Sequence, residues 1–152
     1  MNDNYFTIQE LIRSSTATRL GIDNTPSQEL INHAYKFLIP GLNQIRILLG
    51  KPVVVDSGFR CEKLNSATPG SSSVSQHCKF EAADIVCPSF GNPLAVAKAI
   101  INNKDIKFDQ LIYEYGEWVH VSFSGNPKRD IRSKWTGTSY LRGLVNKDNK
   151  SL

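Results

Sequence analysis

The stretch FDQLIYEYGEWVHVSFS, residues 108–124, decides how the rest of the chain is read. Its two halves, rich in aromatic and β-branched residues, read as two strands, or one hairpin, around Gly116. Upstream, PVVVDSGF (52–59) is a buried strand by its β-branched run, and EAADIVC (81–87) is another. Between strand segments, Asn92 and Pro93 open a helix through PLAVAKAIINN. Helical signals come first along the chain and several strands then follow closely. That order favours an α+β fold with a mainly antiparallel sheet over a doubly wound one.

The N-terminal half carries the helical signals. Thr7 can cap a first helix in TIQEL, with Glu10 closing a capping box. LGIDNTPSQ reads as a connector. A second start is expected at Thr25, with Pro26 at the first helical position and Gln28 closing the box. Leu30, Ala34, Phe37, Leu38, Ile45, Leu48 and Leu49 then follow a period near 3.6 and define a core face. Pro40 should kink or split this helix, and Gly50 with Pro52 should stop it. NSATPGSSSVS is a polar loop. The segment from about Asn126 holds Trp135 and Tyr140 and should pack, while NKDNKSL should fray from about residue 146.

At 152 residues the chain is expected to form one domain, 1–152, with a core that needs no disulfide or structural metal. Its 40% apolar and 21% charged content is that of an ordinary soluble protein. No apolar run is long enough to span a membrane, and MNDNYFTIQEL lacks the basic start and apolar run of a signal peptide. Synthesis in the cytoplasm is expected, with release or export by some other agent if the protein acts outside. The net charge of +4 favours acidic partners. The basic residues are scattered apart from NPKRDIRSKW, which reads as a solubilising surface or an anionic contact. No nucleic-acid motif is present. Cys61, Cys78 and Cys87 have neither disulfide-framework nor C-x-x-C spacing and read as reduced, partly buried residues. Cys78, beside His77, also has to be weighed as a nucleophile.

Three side chains of metal-ligand type lie on or next to strands: His77, Asp84 and His120. Two nitrogens and a carboxylate oxygen, with a fourth position open to water, make up a catalytic zinc set. Each also has a plainer reading. His77 could be a surface loop residue and His120 a satisfied strand histidine. Asp84 is harder to explain so, because AADIV surrounds a carboxylate with apolar neighbours. A buried carboxylate needs a cationic partner, a metal or an arginine. His77 must come from the loop and Asp84 from the strand to meet. Glu117, three residues before His120, could act as a general base only from the turn after Gly116 or from a bulge. Arg60 could clamp an acidic substrate or pair locally with Asp56 or Glu62.

The blocks FTIQELIRSSTATRLGIDNTPSQEL, VVVDSGFRCEKLN, SSSVSQHCKFEAADI and FDQLIYEYGEWVHVSF, in this order, resemble the metallopeptidase family that includes zinc D-Ala-D-Ala carboxypeptidases and phage cell-wall endolysins. The family pattern runs S-G-[YF]-R-x-x-x-L-N, then S-x-H-x-x-G-x-A-x-D, then a late W-[VLI]-H. The resemblance implies a hedgehog/DD-peptidase fold and one Zn2+ per chain held by His77, Asp84 and His120. It implies that Arg60 orients a substrate carboxylate. Glu117 is implied as general base, with Glu114 as a second acidic candidate. Ser75 and Gln76 are implied to shape the loop; Ser75 and Tyr115 join Arg60 in substrate binding. Tyr115 stands where some members have a transition-state histidine. Phe80 replaces the motif glycine, so either the loop is remodelled or that glycine served compactness and not its dihedral.

The activity so implied is hydrolysis of peptidoglycan stem peptides, of D-Ala-D-Ala carboxypeptidase or L-Ala-D-Glu endopeptidase type, by a monomer acting at the cell wall during phage lysis or carried on a virion. The alternatives are a non-catalytic cell-wall-binding or virion module of the same fold, and a processing peptidase for a phage structural protein. The complete ligand set speaks against a decayed enzyme.

Overall fold

A computed structural model describes residues 4–137 and 139–152. The N-terminal third is helical. Thr7 Oγ1 accepts from the Glu10 N–H at 3.1 Å and starts α1, Ile8–Ile12, as expected. An unexpected α2, Ser15–Leu20, follows; Ser14 caps it and Gly21, at φ 68°, ends it. The second expected start lies two residues later than the sequence suggested. Ser27, not Thr25, accepts from the Leu30 N–H, and α3 is Gln28–His33. The Thr25 N–H is instead held by Asp23 Oδ1 at 3.0 Å in a local turn.

Around Pro40 the helix is interrupted but its path continues. A π-helical turn, Ala34–Leu38, separates α3 from α4, Ile39–Leu49, with helical dihedrals on both sides. Proline lacks the N–H and its ring crowds the carbonyl four residues back. One wide turn accommodates both at that point. Gly50, at φ 68°, closes α4.

The strands are β1, Val54–Ser57; β2, Ala82–Val86; β3, Gln110–Glu114; β4, Trp118–Ser122; β5, Asp130–Lys134; and β6, Tyr140–Arg142. Short α5, Glu62–Ser66, and α6, Pro93–Asn102, connect the earlier ones, with Asn92 capping α6 as expected. The sheet order is β1-β2-β4-β3-β5-β6. Only β3–β5 is parallel, so the fold is α+β with a mixed, mainly antiparallel sheet.

The pleat sorts the two faces. Ala83, Ile85, Leu111, Val119 and Val121 are fully buried and belong to one core with Leu38, Leu42, Ile45, Ile100 and Phe108. Asp84, His120, Ile112 and Glu114 alternate with them and so point to the opposite face. The helical period of residues 30–49 is borne out: Ala34, Leu38, Ile45 and Leu49 are buried, and Leu30, Phe37 and Leu48 pack against that core. None of the described helices is long and apolar enough to cross a membrane.

The C-terminal segment departs most from expectation. It contributes two further strands, and Trp135 Nε1 donates to the Val145 carbonyl at 3.1 Å. The last residues do not fray as expected. Val145 bridges to Ser151, Asn146 N donates to Lys150 O at 2.8 Å, and Leu152 N donates to Leu144 O at 3.0 Å. Asn146 Oδ1 accepts from the backbone of Asp148 and Lys150 and ties the turn.

Candidate metal centre and cleft

Cross-strand register brings two of the three candidate ligands together. Asp84 on β2 pairs directly with His120 on β4, side chains on the open face. His77 arrives from the loop before β2. Backbone bonds Cys78 N to Ser75 O, Lys79 N to Gln76 O and Glu81 N to Gln76 O coil residues 75–81 into one helical turn. Ser75 Oγ accepts from the His77 N–H at 3.1 Å, so this hydroxyl is engaged in shaping the loop.

Phe80 explains how the turn closes. It has φ 57°, its N–H donates to His77 O, and the next N–H reaches back to Gln76 O. That pair of bonds is a Schellman closure, whose last residue must be left-handed. Phe80 thus adopts the left-handed dihedral that a glycine at this position would take most easily. Phe80 tolerates it because its ring is fully buried against Phe59, centroids 5.2 Å apart.

The three groups converge tightly. Asp84 Oδ1 is 3.3 Å from His77 Nε2 and 3.1 Å from His120 Nδ1. All three residues are buried, and their ligand atoms lie within 4.8 Å of one another. With metal–ligand bonds of about 2.0–2.1 Å, a tetrahedral site has ligand–ligand edges of roughly 3.3 Å. The two edges to Asp84 match that spacing, and the third lies within 4.8 Å, so the group can hold one metal ion. His77 Nδ1 donates to the Gly58 carbonyl at 2.6 Å, which fixes the tautomer and leaves Nε2 free for a metal. Burial alone would push the Asp84 carboxyl up, but His77 and His120 beside it hold it well below the usual range. The buried carboxylate has found imidazole partners, not arginine.

A cleft of about 790 Å³ opens over this group. The polar loop of residues 68–76 forms one wall and the link between α1 and α2 another. Arg60, which follows β1, lines it, and its N–H donates to His77 O at 3.2 Å. Among the described residues Arg60 makes no ion pair with Asp56 or Glu62, and Nε has no hydrogen-bond partner. The local pairing weighed for it is not what the structure shows.

A family model described as peptidase M15 matches residues 4–122. The chain belongs to the peptidase M15 family. No curated protein matches it significantly.

Both acidic candidates of this M15 family member line the cleft, in different settings. Tyr115 and Gly116, at φ 56° and 69°, form the hairpin tip, and Glu117 N donates to Glu114 O at 2.9 Å. Glu117 thus lies in the turn, as required for it to approach His120, and is exposed. Glu114 pairs with Trp118 across β3–β4, two residues from the Ile112–His120 pair, on the ligand face. Burial, then the Asp84 charge, raise its pKa, while His120, Lys134 and Arg60 pull the other way. Tyr115 lines the cleft and stacks edge-on against Trp118, ring centroids 5.4 Å apart. Cys78 is no activated nucleophile, since burial pushes its thiol up despite nearby Arg60.

Sequence reading gave no site role to five contributors. Gly58 O holds His77, and the G of SGFR was its only signal. Asp56 sits in a register shift between Val55 and Ser57 and lines the cleft. Lys134, Arg132 and Tyr140 line the far end from β5 and β6, strands with no apolar pattern to announce them.

Proposed function

We propose that this M15 family member is a zinc-dependent peptidase that hydrolyses peptidoglycan stem peptides. The observation that carries the reading is the convergence of His77, Asp84 and His120, with ligand atoms within 4.8 Å of one another, under the cleft that Arg60 lines. Zinc, held by these three residues, would lower the pKa of a bound water and polarise the scissile carbonyl.

The chain's own groups supply the rest. Gly58 O orients His77 through Nδ1–H. The Arg60 guanidinium takes a substrate carboxylate, which D-Ala-D-Ala and D-Glu-containing stems both offer. A general base must accept the water proton and hand it to the leaving amine. Of the two acids, Glu114 fits the base better. It shares the ligand face, and its raised pKa brings a carboxylate toward the range where both transfers are accessible. Glu117, at the exposed tip, is assigned to the cleft mouth.

The experiment joins metal content, cleavage and product masses. The purified chain should hold about one zinc, and a defined muropeptide should be cut at a single bond. Glu114→Gln should keep the zinc and lower kcat about 10²–10⁴-fold, with Glu117→Gln within a few fold of wild type. The reverse ranking returns the base to Glu117. A metal-free, inactive wild type sinks the reading.

A further inference from the structure

Residues 123–152 lie beyond the stretch matched by the family model, yet they form one end of the cleft. Lys134, the last residue of β5, lines that end and is only 3% exposed. Its register partner is Glu114, but among the described residues no carboxylate lies within 4.0 Å of Nζ. Nζ donates to Gly70 O at 2.8 Å and meets the Tyr140 hydroxyl only at 3.5 Å. The rings of Tyr140 and Tyr115 lie 5.0 and 5.9 Å from it. A Cβ on Gly70 would stand 3.5 Å from the Tyr115 hydroxyl and 3.9 Å from Nζ, so all three groups meet at one spot.

An ammonium has three donors. One carbonyl uses one of them well, and a distant phenol uses a second poorly. The Glu114 charge acts on Lys134 only from beyond ion-pair distance; a buried ammonium with no carboxylate in contact is unfavourable, and aromatic faces offset only part of that cost. The cradle therefore has room, donors and field for one anion. Two strand spacings of about 4.8 Å and a two-residue offset place the Cα atoms of Lys134 and His120 roughly 12 Å apart. That is about three residues of extended peptide.

We propose that Lys134, with the hydroxyls of Tyr115 and Tyr140, binds a second carboxylate of the substrate, about three residues from the scissile bond and separate from the one at Arg60. The inference rests on the peptidase reading and narrows it to acidic peptides with two anionic anchors. Because Lys134 and Tyr140 lie outside the family-matched stretch, this selectivity belongs to the chain's own C-terminal strands.

The test uses the full chain and two stem pentapeptides ending in D-Ala-D-Ala. One has a free D-Glu α-carboxylate; its twin has the carboxamide there. Affinity is read as KM where the peptide is cut and as Kd by calorimetry where it is not. Wild type should prefer the carboxylate about tenfold, the scale of one charge-assisted hydrogen bond. Lys134→Gln keeps a donor for Gly70 O and should lose that preference while binding the carboxamide within about twofold of wild type. Lys134→Arg should retain it. A wild type without preference overturns the subsite, whether or not the variants fold. So does a preference that survives Lys134→Gln, or an equal loss for both peptides, which would mark Lys134 as a wall support. Failure of the peptidase reading looks different: both peptides stay intact while the affinity preference persists.

Discussion

Phe80 carries two opposing effects in one residue. A left-handed dihedral costs an L-residue about 1–2 kcal/mol, and φ 57° imposes that on Phe80. Burial of its ring against Phe59 outweighs the strain, since removing a buried phenylalanine costs about 3–5 kcal/mol. Phe80→Ala keeps the strain and loses the ring, so it should be destabilised by about 3–5 kcal/mol in urea unfolding. Phe80→Gly loses the ring but relieves the dihedral and should stand about 1 kcal/mol above the alanine variant. An alanine variant equal to or more stable than the glycine one would show that the strain is not there. The sequence exposed this position as a departure from a motif. It did not say which of the two effects had been retained, because a dihedral is set by hydrogen bonds to His77 O and Gln76 O that only the closed turn defines.

At the scale of elements, the end of β1 connects packing to the metal centre. A Cβ on Gly58 would run into the Leu11 carbonyl oxygen, which already accepts from the Phe59 N–H at 2.7 Å. The Gly58 carbonyl in turn holds His77. Gly58→Ala should therefore force the two backbones apart, cost about 1–3 kcal/mol as overpacking does, and weaken zinc affinity about 10–100-fold, as loss of a ligand's orienting partner does. Competition with a chelator of known affinity measures the second effect; unchanged affinity would show that Gly58 O does not orient His77. Thr7, Asn92 and the β3–β4 tip were legible because caps and tight turns are local chemistry. Strand β5 was not, since Asp130, Arg132 and Lys134 carry a charged pattern and only Ile131 is apolar. Its place comes from parallel pairing with β3, a partner some twenty residues away in sequence.

For the whole molecule, the sheet divides stability from chemistry. One face is fully covered by α4, α6 and their neighbours; the other collects Asp84, His120 and Glu114. Concentrating carboxylates on that face lowers stability, and the effect has a definite pH dependence. Glu114 has a raised folded pKa from burial and the Asp84 charge. Below the ordinary glutamate value, about 4.3, its side chain is neutral in both states. As pH rises past that value the unfolded chain loses its proton first, so the folded state is progressively disfavoured until the raised pKa is passed. In the chelator-treated protein, Glu114→Gln should match wild type near pH 4 and exceed it in stability by a margin that grows with pH until the raised pKa is passed and then holds to pH 7. A difference that does not change with pH, or a less stable variant at pH 7, would remove Glu114 from the buried electrostatics of the cleft.

Local chemistry written along the chain was enough to specify the α+β class, most helix caps and the core face of residues 30–49, and it offered His77, Asp84 and His120 as ligand types that the family resemblance then joined into one set. Those features depend on spacing, capping groups and apolar period, which neighbouring residues carry by themselves. The fold alone decided the rest: the Asp84–His120 register, the orientation of His77 by Gly58 O, the left-handed Phe80, and the separate settings of Glu114 and Glu117. It also decided that a charged C-terminal stretch becomes β5 and β6 and lays Lys134 at the end of the cleft. Each of these requires segments distant in sequence to share one sheet or one turn, and the energy that selects them appears only once the core has closed.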